Sequence, residues 1–126
     1  MANVRLDANG VPKGPVYECQ TPILHRSGVT QADASDPADA SGAVDSDGYR
    51  CCRFDVELTG TVTEATVQVL FWNGTAAKWF GGASYQFTAG GRYALAIADA
   101  RGAKLYLKVK SLSGTNPSLT AHAVLS

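Results

Sequence analysis

From Tyr49 to the C-terminus, apolar and polar residues alternate in short runs separated by glycine and asparagine. Residues 52–58 and 104–110 place an apolar side chain at every second position, with charged or polar side chains between. A period of two is the pattern of a β-strand that buries one face and exposes the other. The alternation therefore predicts an antiparallel β structure for this part of the chain.

The glycine and asparagine positions divide the region into strands and turns. Further strands are predicted at residues 65–72, 77–80, 84–88, 92–98 and 118–125. Turns are predicted at Gly60, Asn73-Gly74, Gly81-Gly82, Gly90-Gly91, Arg101-Gly102 and residues 114–117. About seven short strands at this spacing are typical of an all-β, jelly-roll-like antiparallel β-sandwich.

The N-terminal region has a different composition. Residues 1–48 hold four of the five prolines and a run of aspartates, and they show no sustained apolar period. We predict an extended N-terminal arm over residues 1–48, followed by a β-sandwich domain over 49–126. The arm is expected to be partly ordered, with residues 16–17 and 23–24 at a sheet face or edge, while 30–48 is its least structured piece.

The charge balance argues against several classes of partner. Eleven basic residues balance eleven acidic ones, so no field favours nucleic acid or anionic lipid. The longest apolar runs fall far short of the roughly 18 residues that a membrane-spanning helix needs, and the N-terminus lacks the apolar stretch of a secretory signal. We therefore expect synthesis in the cytoplasm. Residues 49–126 hold eight basic and four acidic groups, so the domain is expected to attract the acidic arm.

No motif for catalysis, metal or cofactor stands out. His25 and His122 are the only histidines, and neither accompanies a nucleophile-elbow signature, so no enzyme is expected. The aspartates of residues 33–47 lack the glutamate that completes an EF-hand loop, which favours a solvated acidic linker over a calcium site. Three cysteines, two of them adjacent, fit a reduced compartment better than a disulfide or a zinc site.

The stretch "VLFWNGTAAKWFGG", residues 69–82, concentrates aromatic rings around an Asn-Gly turn. If Val69 and Phe71 point into the core, then Leu70 and Trp72 point outward by the period of two. At least one ring is then expected on an outer surface. Such rings can fill a core, anchor a subunit interface or stack on a sugar, and packing or an interface is favoured over a glycan site. The candidate binding or interface residues are Leu70, Trp72, Trp79, Phe80 and Tyr85.

The segment "VQVLFWNGTAAKWFGGASYQFTAGGRYALAIADARGAKLYLKVKSLSG" resembles the strand and turn sequence of small jelly-roll proteins from phage and prophage structural gene clusters. Within it, "F-x-A-G-G-R-Y" leads into a strand and "L-x-V" follows. The capsid cement or decoration proteins are the nearest type. The resemblance covers residues 49–126 and implies a homo-oligomeric virion component, made in the host cytoplasm, whose arm reaches a neighbouring copy or the capsid. The alternative is a carbohydrate-binding β-sandwich module of a tail or adhesion device.

Overall fold

The protein, in a computed structural model, is described over residues 21–126 together with the backbone of residues 3–6 and 12–16. Every regular element in these ranges is a β-strand, and none of the described residues forms a helix that could cross a membrane. The strands are β1 (Asn3–Leu6), β2 (Pro12–Val16), β3 (Ile23–Val29), β4 (Val44–Asp45), β5 (Cys52–Asn73), β6 (Lys78–Phe87), β7 (Gly91–Ile97) and β8 (Lys104–Leu125).

The strands form two separate antiparallel sheets. β1 and β2 pair with each other, whereas the other six strands build the larger sheet. Its central pair is β5 and β8, which run side by side from Cys52 opposite Leu125 to Phe71 opposite Leu105. β6 and β7 follow one another along the other side of β5, and β3 and β4 pair with β8. The all-β, antiparallel prediction is therefore confirmed.

The two longest strands each contain 22 residues, and β-bulges, which bend a strand, interrupt their pairing near the middle. The register between them shifts around Thr59–Thr61 and again at Val62–Glu64. Gly60 and Gly114 have φ of +78° and +143°, and a Cβ on either one would overlap a backbone carbonyl of the opposite strand. The predicted turns at Gly60 and at residues 114–117 are therefore wrong. The chain bends there without reversing, because the glycines let the two backbones remain paired through the bend.

Of the other four turns predicted at glycine, two do not form hairpins and two are confirmed. Gly81-Gly82 lies inside β6, where the register with β5 shifts, so it forms a bulge and not the predicted turn. Gly90-Gly91 joins β6 to β7, and both strands run antiparallel to β5, so the chain keeps its direction and no hairpin forms. The turns at Asn73-Gly74 and Arg101-Gly102 are confirmed.

One hydrophobic cluster takes buried residues from both halves of β5 and β8. Phe54 and Leu119 come from one half and Val67 and Leu107 from the other, and all four are fully buried members of a single cluster. The alternation predicted for 52–58 and 104–110 is confirmed by this burial. At the β6–β7 bend, the rings of Phe87 and Tyr93 stack with centroids 4.2 Å apart and pack against the same core.

The segment that precedes β5 lies against the sheet. Ile23 and Leu24, which the sequence places at a sheet face or edge, lie in β3 and pair with Ala123 and His122 of β8. Residues 30–48 are irregular apart from β4, yet Ser46 is fully buried there and its hydroxyl donates to the carbonyls of Ala100 and Ala103. The expectation for Tyr17 lies outside the described residues.

Candidate functional site

Two rows of aromatic residues meet where β5 and β6 join. The register pairs Phe71 with Phe80 on one face and Trp72 with Trp79 on the other. The turn is closed by Asn73, whose Oδ1 accepts hydrogen bonds of 3.0 Å from the N–H groups of Thr75 and Ala76. An asparagine that bonds backbone amides two and three residues further on fixes such a turn. The turn at Asn73 therefore sets the register that places Trp72 opposite Trp79 and Phe71 opposite Phe80.

The face that points away from the core carries a connected set of rings. Trp72 and Trp79 lie edge to face with centroids 5.2 Å apart, and Trp79 lies 5.8 Å from Tyr106 of β8. Leu70 pairs with Tyr106 in the register, is only 2% exposed and lies beneath these rings on the same face. We call Leu70, Trp72, Trp79 and Tyr106 the aromatic surface. Leu70 points outward as predicted, and the chain's own rings cover it.

The aromatic surface contains one unmet donor. The indole Nε1–H of Trp79 is buried and has no hydrogen-bond acceptor among the described residues. A buried donor without an acceptor costs about 1–3 kcal/mol, so such groups are uncommon in folded proteins.

The other two predicted residues lie on the opposite face of β6. Tyr85 pairs with Val67 and packs against the core, whereas Phe80 pairs with Phe71 and is 52% exposed. The bulge at Gly81-Gly82 brings Phe80 and Tyr85 onto the same face despite their odd spacing. The five predicted residues thus divide into two groups: Leu70, Trp72 and Trp79 on the outer face, and Phe80 and Tyr85 on the core face.

A second group of residues, which was not among the predicted site residues, covers the edge of β8 next to Tyr106. His25 Nε2 accepts the Leu107 N–H at 3.0 Å, and Arg26 donates to the Leu107 carbonyl at 2.9 Å. Asp33 accepts the Val109 N–H through its carboxylate and donates its own N–H to the Val109 carbonyl, both at 2.8 Å. We call His25, Arg26 and Asp33 the edge clip. It satisfies four backbone groups that a neighbouring strand would otherwise pair.

The edge clip is held together by charge and by ring contacts. Arg26 forms a two-pronged ion pair with Asp33, with both N–O distances 2.8 Å, and its guanidinium lies 4.9 Å from the Tyr106 ring centroid. The His25 ring packs edge-on against Tyr106, at 4.9 Å, and also contacts Phe54 in the core. The edge clip and the aromatic surface are therefore joined through Tyr106.

Burial sets the ionisation of the edge clip. Burial, together with the Arg26 charge, lowers the pKa of His25 from 6.5 to about 4, so the ring is neutral at pH 7. A neutral ring has the lone pair on Nε2 that the Leu107 N–H requires. Burial alone would raise the pKa of Asp33, but its bonds to Arg26 and Val109 bring that pKa below its ordinary value.

A hollow of about 380 Å³ opens on the outer face of the other half of the sheet. Asp55 and Glu57 line this hollow, and so does His122, which lies opposite Asp55 in the register. Each carboxylate is already bonded to an arginine, Asp55 to Arg53 at 2.7 Å and Glu57 to Arg92 at 2.8 Å. Among the described residues, no three His, Cys, Asp or Glu side chains come together as metal ligands.

Comparison with known proteins adds little to this geometry. No protein-family model matches the chain, and no curated protein matches it. The chain is similar to a solved structure, the crystal structure of SPBc2 prophage-derived protein YomS. The match covers 88% of this chain and 96% of that one, with 16% sequence identity and a TM-score of 0.48. A likeness of this size carries no argument about function.

Proposed function

We propose that the protein is a non-enzymatic structural component of a phage-type virion, of the capsid cement or decoration kind. In this proposal the two halves of the bent sheet are the layers of a β-sandwich, and the aromatic surface seats the domain against the capsid or a neighbouring copy. The resemblance of the sequence over residues 49–126 to small phage jelly-roll proteins supports the class of particle. The protein adds stability to the shell by many weak contacts repeated with its symmetry.

The observation that carries the docking role is the contact between two half-buried rings, Trp72 and Trp79, on the outer face of β5 and β6. Tryptophan is enriched in the anchors of protein interfaces, where its ring is covered and its N–H finds an acceptor. A capsid loop that packs on the outer face would cover the remaining area of the two rings. Trp72→Ala is then expected to weaken docking because it removes one of these rings.

The test begins with a lysate of the source culture after induction of resident phage. Density-gradient fractionation with mass spectrometry is expected to find this chain in the fractions that hold particles, and Trp72→Ala is expected to move it to the soluble fractions. Tyr85→Phe, on the opposite face, is the matched control and should stay with the particles. If the natural chain sediments with soluble proteins, the virion proposal is wrong.

One observation also favours a carbohydrate-binding module. The Trp72 ring is only partly buried on the outer face, and an aromatic ring in such a position can stack on a sugar ring. A glycan array probed with the purified protein separates the two functions. Retention of a defined glycan that Trp72→Ala abolishes, with unfolding unchanged, would replace the virion proposal by this one.

A further inference from the structure

β6 forms an unpaired edge of the larger sheet. Among the described strands it pairs with β5 alone, so the outward N–H and C=O groups of its ten residues have no strand beside them. An open edge of this kind can pair with a strand of another chain. Its sequence, KWFGGASYQF, contains no proline, and its only charge is Lys78 at the first position.

The other edges of the sheet carry protection that β6 lacks. The edge of β8 is covered by β4 and by the edge clip. β3 has two register irregularities, and β7 carries Arg92, whose side chain is 87% exposed. Bulges and charges are the usual means by which edge strands avoid pairing. β6 has only the bulge at Gly81-Gly82, and instead of a charge it exposes Phe80.

The side chains of β6 suit a second copy of the same strand. A twofold axis between Gly82 and Ala83 would set Phe80 opposite the partner's Tyr85 and Trp79 opposite the partner's Gln86. Phe80 and Tyr85 share the core face, and Trp79 and Gln86 share the outer one, so both pairings match faces. At the axis Gly82 lies opposite the partner's Ala83, so the central positions hold only small side chains that leave room for the pairing. Aromatic residues opposite each other across antiparallel strands stabilise the pairing.

The charges agree with the antiparallel arrangement. A parallel pairing would put two Lys78 side chains together, which costs free energy. The antiparallel pairing brings the partner's Lys78 to the end of β6 at Phe87, next to Gln86. The antiparallel arrangement therefore keeps the two Lys78 side chains at opposite ends of the joined strands.

We infer that two copies of this chain join edge to edge through antiparallel pairing of β6, so that the larger sheet continues from one protomer into the next. A single strand pair buries less than the roughly 1,200 Å² of a stable interface. The dimer is therefore weak and depends on protein concentration. This inference needs neither a virion nor a glycan, and it is tested on the purified full chain.

Sedimentation velocity over a wide range of concentration provides the test. The natural chain is expected to pass from monomer to dimer as concentration rises. Ala83 is exposed and lies next to the axis, so Ala83→Lys and Ala83→Glu should each remain monomeric through repulsion of like charges. A mixture of the two variants should dimerise again, because opposite charges then face each other. Ala96→Lys, at an exposed site on β7, is the matched control and should dimerise like the natural chain.

Three results would overturn the inference. The natural chain could remain monomeric at every concentration, Ala83→Lys could dimerise as the natural chain does, or the mixture could fail to restore the dimer. Circular dichroism spectra of all variants confirm that each is folded. A dimer that forms while the chain sediments with soluble lysate proteins would keep this inference and refute the virion proposal.

Discussion

His25 accepts the Leu107 N–H only in its neutral form, so the edge clip is sensitive to acid. Its pKa in the folded protein is about 4, against 6.5 when unfolded. The unfolded chain therefore binds a proton first, and stability is expected to fall as pH drops from about 6.5 to about 4. The loss from this histidine should be about 1–3 kcal/mol. Urea unfolding at a series of pH values measures it.

The variant that tests this prediction is His25→Gln. A glutamine at position 25 can still accept the Leu107 N–H but does not titrate, so its stability should change less across this pH range. An equal pH dependence in the natural chain and in His25→Gln would refute the role of His25.

Asp33 and Asp36 lie in the same acidic run but differ in their ion pairs and hydrogen bonds. Asp33 pairs with Arg26 and accepts the Val109 N–H, whereas Asp36 forms one ion pair with Lys108 at 2.8 Å. Asp33→Asn is expected to cost about 2–4 kcal/mol, because a half-buried arginine loses its partner charge. Asp36→Asn should cost less than about 1 kcal/mol. Equal losses of unfolding free energy would show that the edge clip adds no stability of its own.

The residues that form the edge clip carry no local signal in the sequence. His25 follows an apolar dipeptide, and Tyr106 sits between lysines on the polar face of a predicted strand. Their contact joins positions about 80 residues apart, as in the bond from Leu107 to His25. Periodicity within one strand predicts which face a side chain occupies, but it holds no information about the segment that arrives beside that strand.

At the scale of elements, the bends in β5 and β8 hold the two halves on one core. Gly60→Ala and Gly114→Ala should each cost more than about 2 kcal/mol, because both positions need positive φ and the new Cβ would meet backbone that cannot move aside. Gly42→Ala is the control, since its Cβ would reach Tyr106 only at an ordinary contact of 3.9 Å. Thermal unfolding of the three variants tests this, and a tolerated Gly114→Ala would show that the bend is not fixed.

The positions of the strands could be predicted from the sequence. That β5 and β8 each continue through a predicted turn could not. Alternation identified the buried positions of β5 and β8 because one face of each half meets the core. Glycine, however, serves a hairpin turn, a bulge and a bend equally well at the level of sequence. At Asn73 the side chain bonds the turn and marks a reversal, whereas Gly60 and Gly90 have no such neighbour. Whether the chain turns, bulges or bends at these two glycines depends on contacts with the opposite strand. A local sequence pattern holds no information about those contacts.

At the scale of the whole molecule, residues 23–48 complete the larger sheet, whereas β1 and β2, as far as the structure describes them, pair only with each other. A deletion of residues 1–22 should therefore leave the unfolding free energy nearly unchanged. A deletion of residues 1–30 also removes β3 and two members of the edge clip. It should cost about 3–5 kcal/mol and promote aggregation, because the edge of β8 opens at Leu107 and along Leu119. Urea unfolding and light scattering compare the two proteins.

The shorter deletion also tests whether the start of the arm fastens the protein to a particle. If it does, the chain without residues 1–22 should stay folded, yet occupy fewer positions on particles recovered from the gradient, since contacts repeated over a symmetric shell multiply the loss from each copy. The Trp72→Ala chain should show the same loss with the arm intact. Full occupancy of the shortened chain would assign the attachment to the aromatic surface alone. Loss of folding in the shortened chain would instead show that residues 1–22 support the larger sheet.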